Sequence, residues 1–600
     1  MILIQQSQIC DPKIRMVGST TFDVDEPSTA AIALPSLPRL PAITPPSLLD
    51  SLPLEILHEI FVLCLPEDFR KEASGNNGPP APLKLCHVSQ TWRRAAISEP
   101  RLWRNLRLPT KRLEASTSLD SFTSTIAKLT AQAVFWFENA GDAGIRLVLD
   151  IPRPAFETAD AGSVVTMLDG GRNVTNLPTE LDLLVAWRKF VAVVLVQRAS
   201  RIRSLELRPF TKAASACIAP FISPDLSQDF KRLDSVFIIG SQLPVSSCAG
   251  CHAKGLFGNA PSLKKVALVF SSIASSLPPS ILPDTFLPWK QLTHLMIKMP
   301  CSGSFWKRVL LQCGQLETCV MHLEHSLIAE DRDPTLTDAG IVLPKLHRLD
   351  VTFHDEFSSI YFHPFRFPAL TNISIACDIG NGFPTFIWLK QSKPHLYAQF
   401  KQLTSLTLSY QNITWSDLLE LLKETDDLEE LFVDSYLLDH KAFLQALTVY
   451  PDQTAKPIIP KLKNFSLFLE YYAETPPTTF EEQDLLVMMA SRSPVASEVA
   501  RHICIMNSIE LPELYSARDP GVRVFAPDRL VSTSLGCVEL WVDSEDGTKV
   551  ELLEKFQQLT EALAESDKSD EYPPFSFLVD FVSPSEWLVQ SNEPIWYSYY

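Results

Sequence analysis

The chain has 600 residues, 46% hydrophobic and 20% charged, with a formal net charge of -17. That length exceeds what one compact core holds, roughly 250–300 residues, so several domains or a stacked repeat array is expected. The acidic balance disfavours nucleic acid and anionic membrane faces as partners. Twelve scattered cysteines suit a reducing compartment better than a disulfide framework.

The first residues, Met1-Ile2-Leu3-Ile4 and then Gln5, carry no basic start before a long apolar run, so no signal peptide is expected. The longest apolar stretch, Phe190 to Val196, is far short of the ~20 residues that cross a bilayer. A soluble protein of the cytoplasm, the nucleus or both is the resulting expectation. Prolines crowd the first 46 residues, as in Leu34-Pro35-Ser36-Leu37-Pro38, and predict an extended, disordered arm over 1–46.

Helical periodicity begins beyond Ser51. Ile56, Leu57, Ile60, Phe61 and Leu65 share one face, Pro53 suits a first turn, and Pro66 ends the run. A polar insert containing Gly75-Asn76-Asn77-Gly78 follows. A second helix is predicted from about Leu83, with Leu85, Val88 and Trp92 on one side. Apolar steps of three and four from Leu119 to Trp136 predict an amphipathic linker helix. Between Lys84 and Arg112, eight bases against Glu99 alone give +7, either a solvated helix face or a steering surface for an acidic partner.

The remainder repeats an apolar triplet of the form LxxLxL. Copies start at Ile202, Leu233, Leu263, Leu292, Leu316, Leu346, Leu370, Leu403, Leu428 and Leu462, in steps of 24 to 34 residues. In a short strand, alternate residues point the same way, so the last two apolar positions enter one core together. Helices between copies, as at Phe305 to Leu311 and from Thr414 through Leu422, would return the chain. The pattern predicts a leucine-rich-repeat solenoid with parallel strands along a curved inner sheet and helices or loops outside. The residue between the last two triplet positions should face away from the core. Glu206, Phe237, Met296, Asp350, Thr407 and Phe432 are therefore the candidate substrate-binding row.

Leu52-Pro53-Leu54-Glu55-Ile56-Leu57-His58-Glu59-Ile60-Phe61 resembles the opening of the F-box, Val88-Ser89-Gln90-Thr91-Trp92-Arg93-Arg94 its second block, and Leu102-Trp103 its end. The variant with Cys64-Leu65-Pro66 and a polar insert is similar to the large F-box family of mushroom-forming fungi. The resemblance spans about Leu48 to Leu108. It implies a helical module that binds the Skp-type adaptor of a cullin–RING ubiquitin ligase, with the repeats selecting a protein substrate. The adaptor-facing residues it implies are Leu52, Pro53, Ile56, Leu57, Ile60, Val88 and Trp92. The expected organisation is an arm (1–46), the F-box (47–108), a linker helix (109–139), and an α/β solenoid with a C-terminal cap (140–600). A non-catalytic repeat scaffold or regulator that promotes no ubiquitination is the alternative.

No catalysis, cofactor or metal is expected. Cys248-Ala249-Gly250-Cys251-His252 has haem-attachment spacing, but a closed zinc site needs a fourth ligand and covalent haem a dedicated compartment. The aromatic terminus (Trp587, Trp596, Tyr597, Tyr599, Tyr600) is expected to cap the last repeat.

Overall fold

The computed structural model describes residues 52–65, 81–108, 119–151, 185–186, 189–209, 230–240, 257, 260–270, 287–301, 303–323, 340–353, 365–377, 399–409, 415–434, 439–449, 456–469, 481–493, parts of 496–503, 535, 537–543, 551–564 and 575–582. The N-terminal arm, Cys248, Cys251, His252 and the terminal aromatics lie outside them.

Three short helices come first: α1 (Leu54–Leu63), α2 (Ala81–Val88) and α3 (Gln90–Ser98). The single helix expected from Leu83 is two. Ser89 leaves the helical region at φ -153° and its side chain accepts a hydrogen bond from Trp92 N, so it starts α3 afresh. A 3-10 turn at Pro100–Trp103 then leads into β1 (Asn105–Arg107).

The sheet thus begins inside the segment expected to be a separate module. The long helix α4 (Leu119–Ala140) returns the chain to β2 (Ile145–Ile151), which pairs with β1 in parallel. It is therefore a crossover of the sheet itself rather than a linker ahead of it. Trp103, fully buried, binds the turn to α4: its ring meets Trp136 edge-on at 4.8 Å, and its Nε1 donates to Ala96 O at 2.8 Å.

From there every triplet yields one strand: β3 (Ile202–Pro209), β4 (Ser235–Gly240), β5 (Lys265–Phe270), β6 (His294–Cys301) and β7 (Thr318–Leu323). A helix, α5 (Gly303–Gln312), joins β6 to β7. A two-strand pair, β8 (Ile341–Val342) with β10 (Phe365–Arg366), flanks β9 (Arg348–Phe353) in sequence. The main sheet continues with β11 (Asn372–Cys377), β12 (Ser405–Ser409), β13 (Glu430–Asp434) and β14 (Asn464–Leu469). Helices α6 (Trp415–Lys423), α7 (His440–Leu447) and α8 (Glu482–Arg492) lie among these, before β15 (Cys537–Asp543), α9 (Glu551–Ala564) and β16 (Ser576–Val582). All 14 main-sheet strands are parallel and stand in sequence order. The fold is α/β and solenoid-like.

The register explains why the triplet works. Leu205, Val236, Val266, Leu295, Cys319 and Leu349 stand in one row across six strands. All are at most 2% exposed. Each strand is also entered through a repeated turn in which the first triplet N–H donates three residues back, as from Leu292 to Trp289 O, Leu370 to Phe367 O and Leu403 to Phe400 O. The accepting residue is itself buried in these repeats, so the structural repeat is one apolar position longer than the triplet.

Four strands of the main sheet lie outside the ten triplets. In β2 a register shift sets Ile145, wholly buried, opposite Ile202, so the first apolar position comes two residues before Leu147 rather than three. β15 carries an overlooked triplet, Leu535-Val538-Leu540, and in β16 the corresponding first position is Pro574. At the far end, the guanidinium of Arg492, wholly buried, donates to the carbonyls of Leu447, Ile458 and Ile459 at 2.7, 2.6 and 2.9 Å. It clamps a turn in which Ile459 is held at φ 49°, a conformation costly for a β-branched residue.

Candidate functional site

Two surfaces follow from the sequence expectations. The first is the N-terminal helical segment. Helix α1 is apolar on both sides. Leu57 and Phe61 point inward, 2% and 0% exposed, and the Phe61 ring lies 4.9 Å from Trp92. Ile56, Ile60 and Leu63, at i, i+4 and i+7, form an outward stripe: Ile56 is 48% exposed, Leu63 83%, and Ile60 half-buried. Leu54 and, on the other helices, Val88 and Ile97 are also exposed. Ten large apolar residues are strongly exposed among the described residues, and five of them fall in this short segment. Such a concentration makes this segment the candidate interaction surface.

The back of that surface is fixed. Glu99 caps the 3-10 turn, accepting from Arg101 N at 3.0 Å and Arg101 Nε at 2.9 Å. Those bonds hold the Glu99 carboxyl below its ordinary range against the opposing effect of burial. Arg101 Nη2 also donates to Glu59 at 2.7 Å, while His58 Nδ1 lies 3.3 Å from Glu99. This clasp joins α1 to the turn, so the exposed stripe stands on a closed polar and aromatic base.

Of the residues implied as adaptor-facing, Ile56 and Val88 are exposed, as is Pro53, while Leu52, Ile60 and Trp92 are half-buried. Leu57 is a correction: it fills the core of the segment and is no part of an exposed face. A helix packed on its neighbours must spend one side on them, and periodicity alone does not say which. Leu54, Leu63 and Ile97 were missed. Extending the step of three and four from Ile56 and Ile60 reaches Leu63.

The second surface is the face of the sheet opposite the core. Register places Glu206, Phe237, Ala267, Met296, Val320, Asp350, Ser374, Thr407, Phe432 and Ser466 in one row. The row is not uniform. At one end Arg107 pairs with Asp150 at 2.9 Å, and Arg208 Nε bonds Glu206 at 2.7 Å. In the middle, Ala267, Met296 and Val320 form a buried cluster, with Phe237 and Val269 packed against it. Asp350 then takes Arg348 at 3.0 Å. A fifth of its side chain reaches solvent, yet burial pushes its carboxyl up and burial pulls the nearby Lys298 ammonium down. Further on, Ser374, Thr407, Phe432 and Ser466 are half-buried, and Ser466 Oγ donates to Glu539 at 3.1 Å.

Glu206 and Met296 are the second correction. Each is 2% exposed, so neither is open to a ligand in this arrangement. Phe237, Asp350, Thr407 and Phe432 keep partial access. Among the described residues no group of His, Cys, Asp or Glu is arranged to hold a metal ion, and no helix is long and apolar enough to cross a membrane. Cys313 and Cys319 are buried, and burial pushes both thiols up, Cys313 to about 12, which leaves them protonated and unreactive at neutral pH.

Neither a protein-family model nor a curated protein matches the chain. The case for function therefore rests on the geometry and on the resemblance of the N-terminal segment.

Proposed function

We propose that the chain is a substrate receptor of a Skp/cullin/F-box ubiquitin ligase, acting in the cytoplasm or nucleus and holding no chemistry of its own. Helices α1 to α3 are its F-box and the strand array is a leucine-rich-repeat solenoid that presents the substrate. The observation that carries this is the outward stripe Ile56–Ile60–Leu63 on α1, set beside exposed Leu54, Val88 and Ile97. An apolar stripe on a helix whose other side already fills a core asks for a partner with a matching groove. Burying such residues contributes roughly 1.5–3 kcal/mol each. The receptor's role is proximity: it raises the effective concentration of a target near the ubiquitin-loaded enzyme.

Capture of a recombinant Skp-type adaptor by the full chain tests this. Ile56→Asp with Leu63→Asp should weaken capture by roughly tenfold or more, since a charge would enter an apolar contact. The melting curve should hardly move, because both side chains point outward. Undiminished capture by that variant would remove the reading. Capture of adaptor without cullin would instead favour a scaffold that promotes no ubiquitination.

A further inference from the structure

Eight bases lie between Lys84 and Arg112, and the fold treats them differently. Glu99 and Glu59 hold Arg101 at 2.9 and 2.7 Å, and Asp150 holds Arg107 at 2.9 Å. Lys111 and Arg112 lie outside the described residues, while Lys84 and Arg104 are exposed on α2 and beyond the 3-10 turn. The remaining two stand on α3. There Gln90, Arg94 and Ile97, at i, i+4 and i+7, are all exposed and form one outward stripe. Arg93, exposed beside it, donates through Nε to the neutral carbonyl of Cys86 at 2.9 Å. Arg94 meets no carboxylate among the described residues.

The edge where β13 and β14 begin is built otherwise. Lys456 meets Asp426 at 2.6 Å, Lys461 meets Asp427 at 2.6 Å and Lys463 meets Glu429 at 2.8 Å. Along that paired edge, exposed cations answer acids of the neighbouring repeat. An exposed arginine is by itself an ordinary solvated side chain, so the place of Arg94 is what matters. It stands on the same face as Ile97, about 4.5 Å before it along the helix axis, and follows Val88 in the chain. Val88 is 60% exposed and Ile97 40%, and both belong to the apolar surface centred on α1. A partner that covers both also covers Arg94. Taking a guanidinium out of water without an anion costs more than the apolar contact returns. The partner must therefore bring one, and a carboxylate fits the planar fork of arginine.

We propose that the partner seated on this surface carries carboxylates at the rim of its apolar groove, and that Arg94 pairs with them, with Arg93 beside it. The apolar stripe of α1 supplies contact area. The arginines of α3 fix how the groove is oriented on it and quicken the encounter. The proposal deepens the reading of α1 as the adaptor-docking helix, and rests on it.

The test measures binding of a recombinant Skp-type adaptor to the full chain at about 50 and about 500 mM salt. The parent chain should bind more weakly at the higher salt. Arg94→Glu should cost at least about tenfold at the lower salt and lose most of the parent's salt dependence. Arg94→Gln should move both quantities in the same direction by less. Its melting temperature should match the parent's, because Arg94 has no carboxylate in the chain to lose, so this variant decides the matter if Arg94→Glu misfolds. Lys423→Glu makes the same change in net charge at an exposed position on α6 and should bind as the parent does. Parent-like affinity in both Arg94 variants, an equal loss in Lys423→Glu, or binding that salt leaves untouched would each overturn the proposal. If Ile56→Asp with Leu63→Asp still weakens capture in that case, the α1 reading stands without it. No adaptor binding by the parent chain removes both.

Discussion

Strands β5 to β7 and strands β11 to β14 use the same register to build opposite surfaces. The first group reads Lys-Val-Ala-Leu-Val-Phe, His-Leu-Met-Ile-Lys-Met and Thr-Cys-Val-Met-His-Leu, apolar at positions that face both ways. In the second, β11, β12 and β14 read Asn-Ile-Ser-Ile, Ser-Leu-Thr-Leu and Asn-Phe-Ser-Leu, alternating polar and apolar, and β13 departs from this only in Phe432 at the outward position. A parallel strand buried on both faces gives a continuous apolar run, and one buried on a single face alternates. Burial follows: Met296 is 2% exposed, while Thr407, in the same row, is half-buried. One half of the sheet therefore has two packed faces. The other has one packed face and one that is open in part.

The largest expected effect separates the halves directly. Met296→Asp puts a carboxylate into the Ala267–Val320 cluster and should destabilise the chain by about 3–5 kcal/mol. Thr407→Asp, in the same row, should cost under about 1 kcal/mol. Urea unfolding of the two variants measures both, and equal losses would erase the distinction.

Acidification should act on both halves alike. Burial lowers His294, at the start of β6, and His440, at the start of α7, to about 4. Both folded values lie below the ordinary 6.5, so the unfolded chain binds more protons between them. Stability should fall as pH drops from about 6.5 toward 4, by on the order of 2 kcal/mol for each histidine. Replacing His440 by Gln should remove about half of that fall in thermal melts over the same range.

The smallest effect belongs to the paired edge. Lys463→Gln breaks a pair whose partners are 52% and 38% exposed. Solvent screens such pairs, and the melting temperature should move by no more than about a degree or two.

Much of the sheet was legible because LxxLxL binds local sequence to global position: the same three side chains must be apolar in every repeat. The pattern failed where another demand displaced a leucine. In β2 a register shift brings the first apolar residue, Ile145, one place closer to Leu147, and ahead of β16 the sequence has Pro574 at that position. Ser89 broke a helix that periodicity had joined, since a cap is a backbone event that an apolar step does not register. The N-terminal site was half legible. The residues of α1 were identifiable, but Leu57 and Ile56 are neighbours on a helix with apolar residues on both sides. Only the packing of Phe61 on Trp92 decides which of them faces out. Glu206 and Met296 were placed on the right face of the sheet, but their burial depends on neighbours across strands, which no single strand records.

The central claim is that α1 and its neighbours form a partner surface while the sheet stays free for another ligand. Hydrogen–deuterium exchange of the full chain, with and without a Skp-type adaptor, addresses both parts at once. Addition of adaptor should slow exchange across Leu54–Leu63 and Gln90–Ser98 and leave β11 to β14 unchanged. Unaltered exchange in those helices, or protection confined to the strands, would contradict the account.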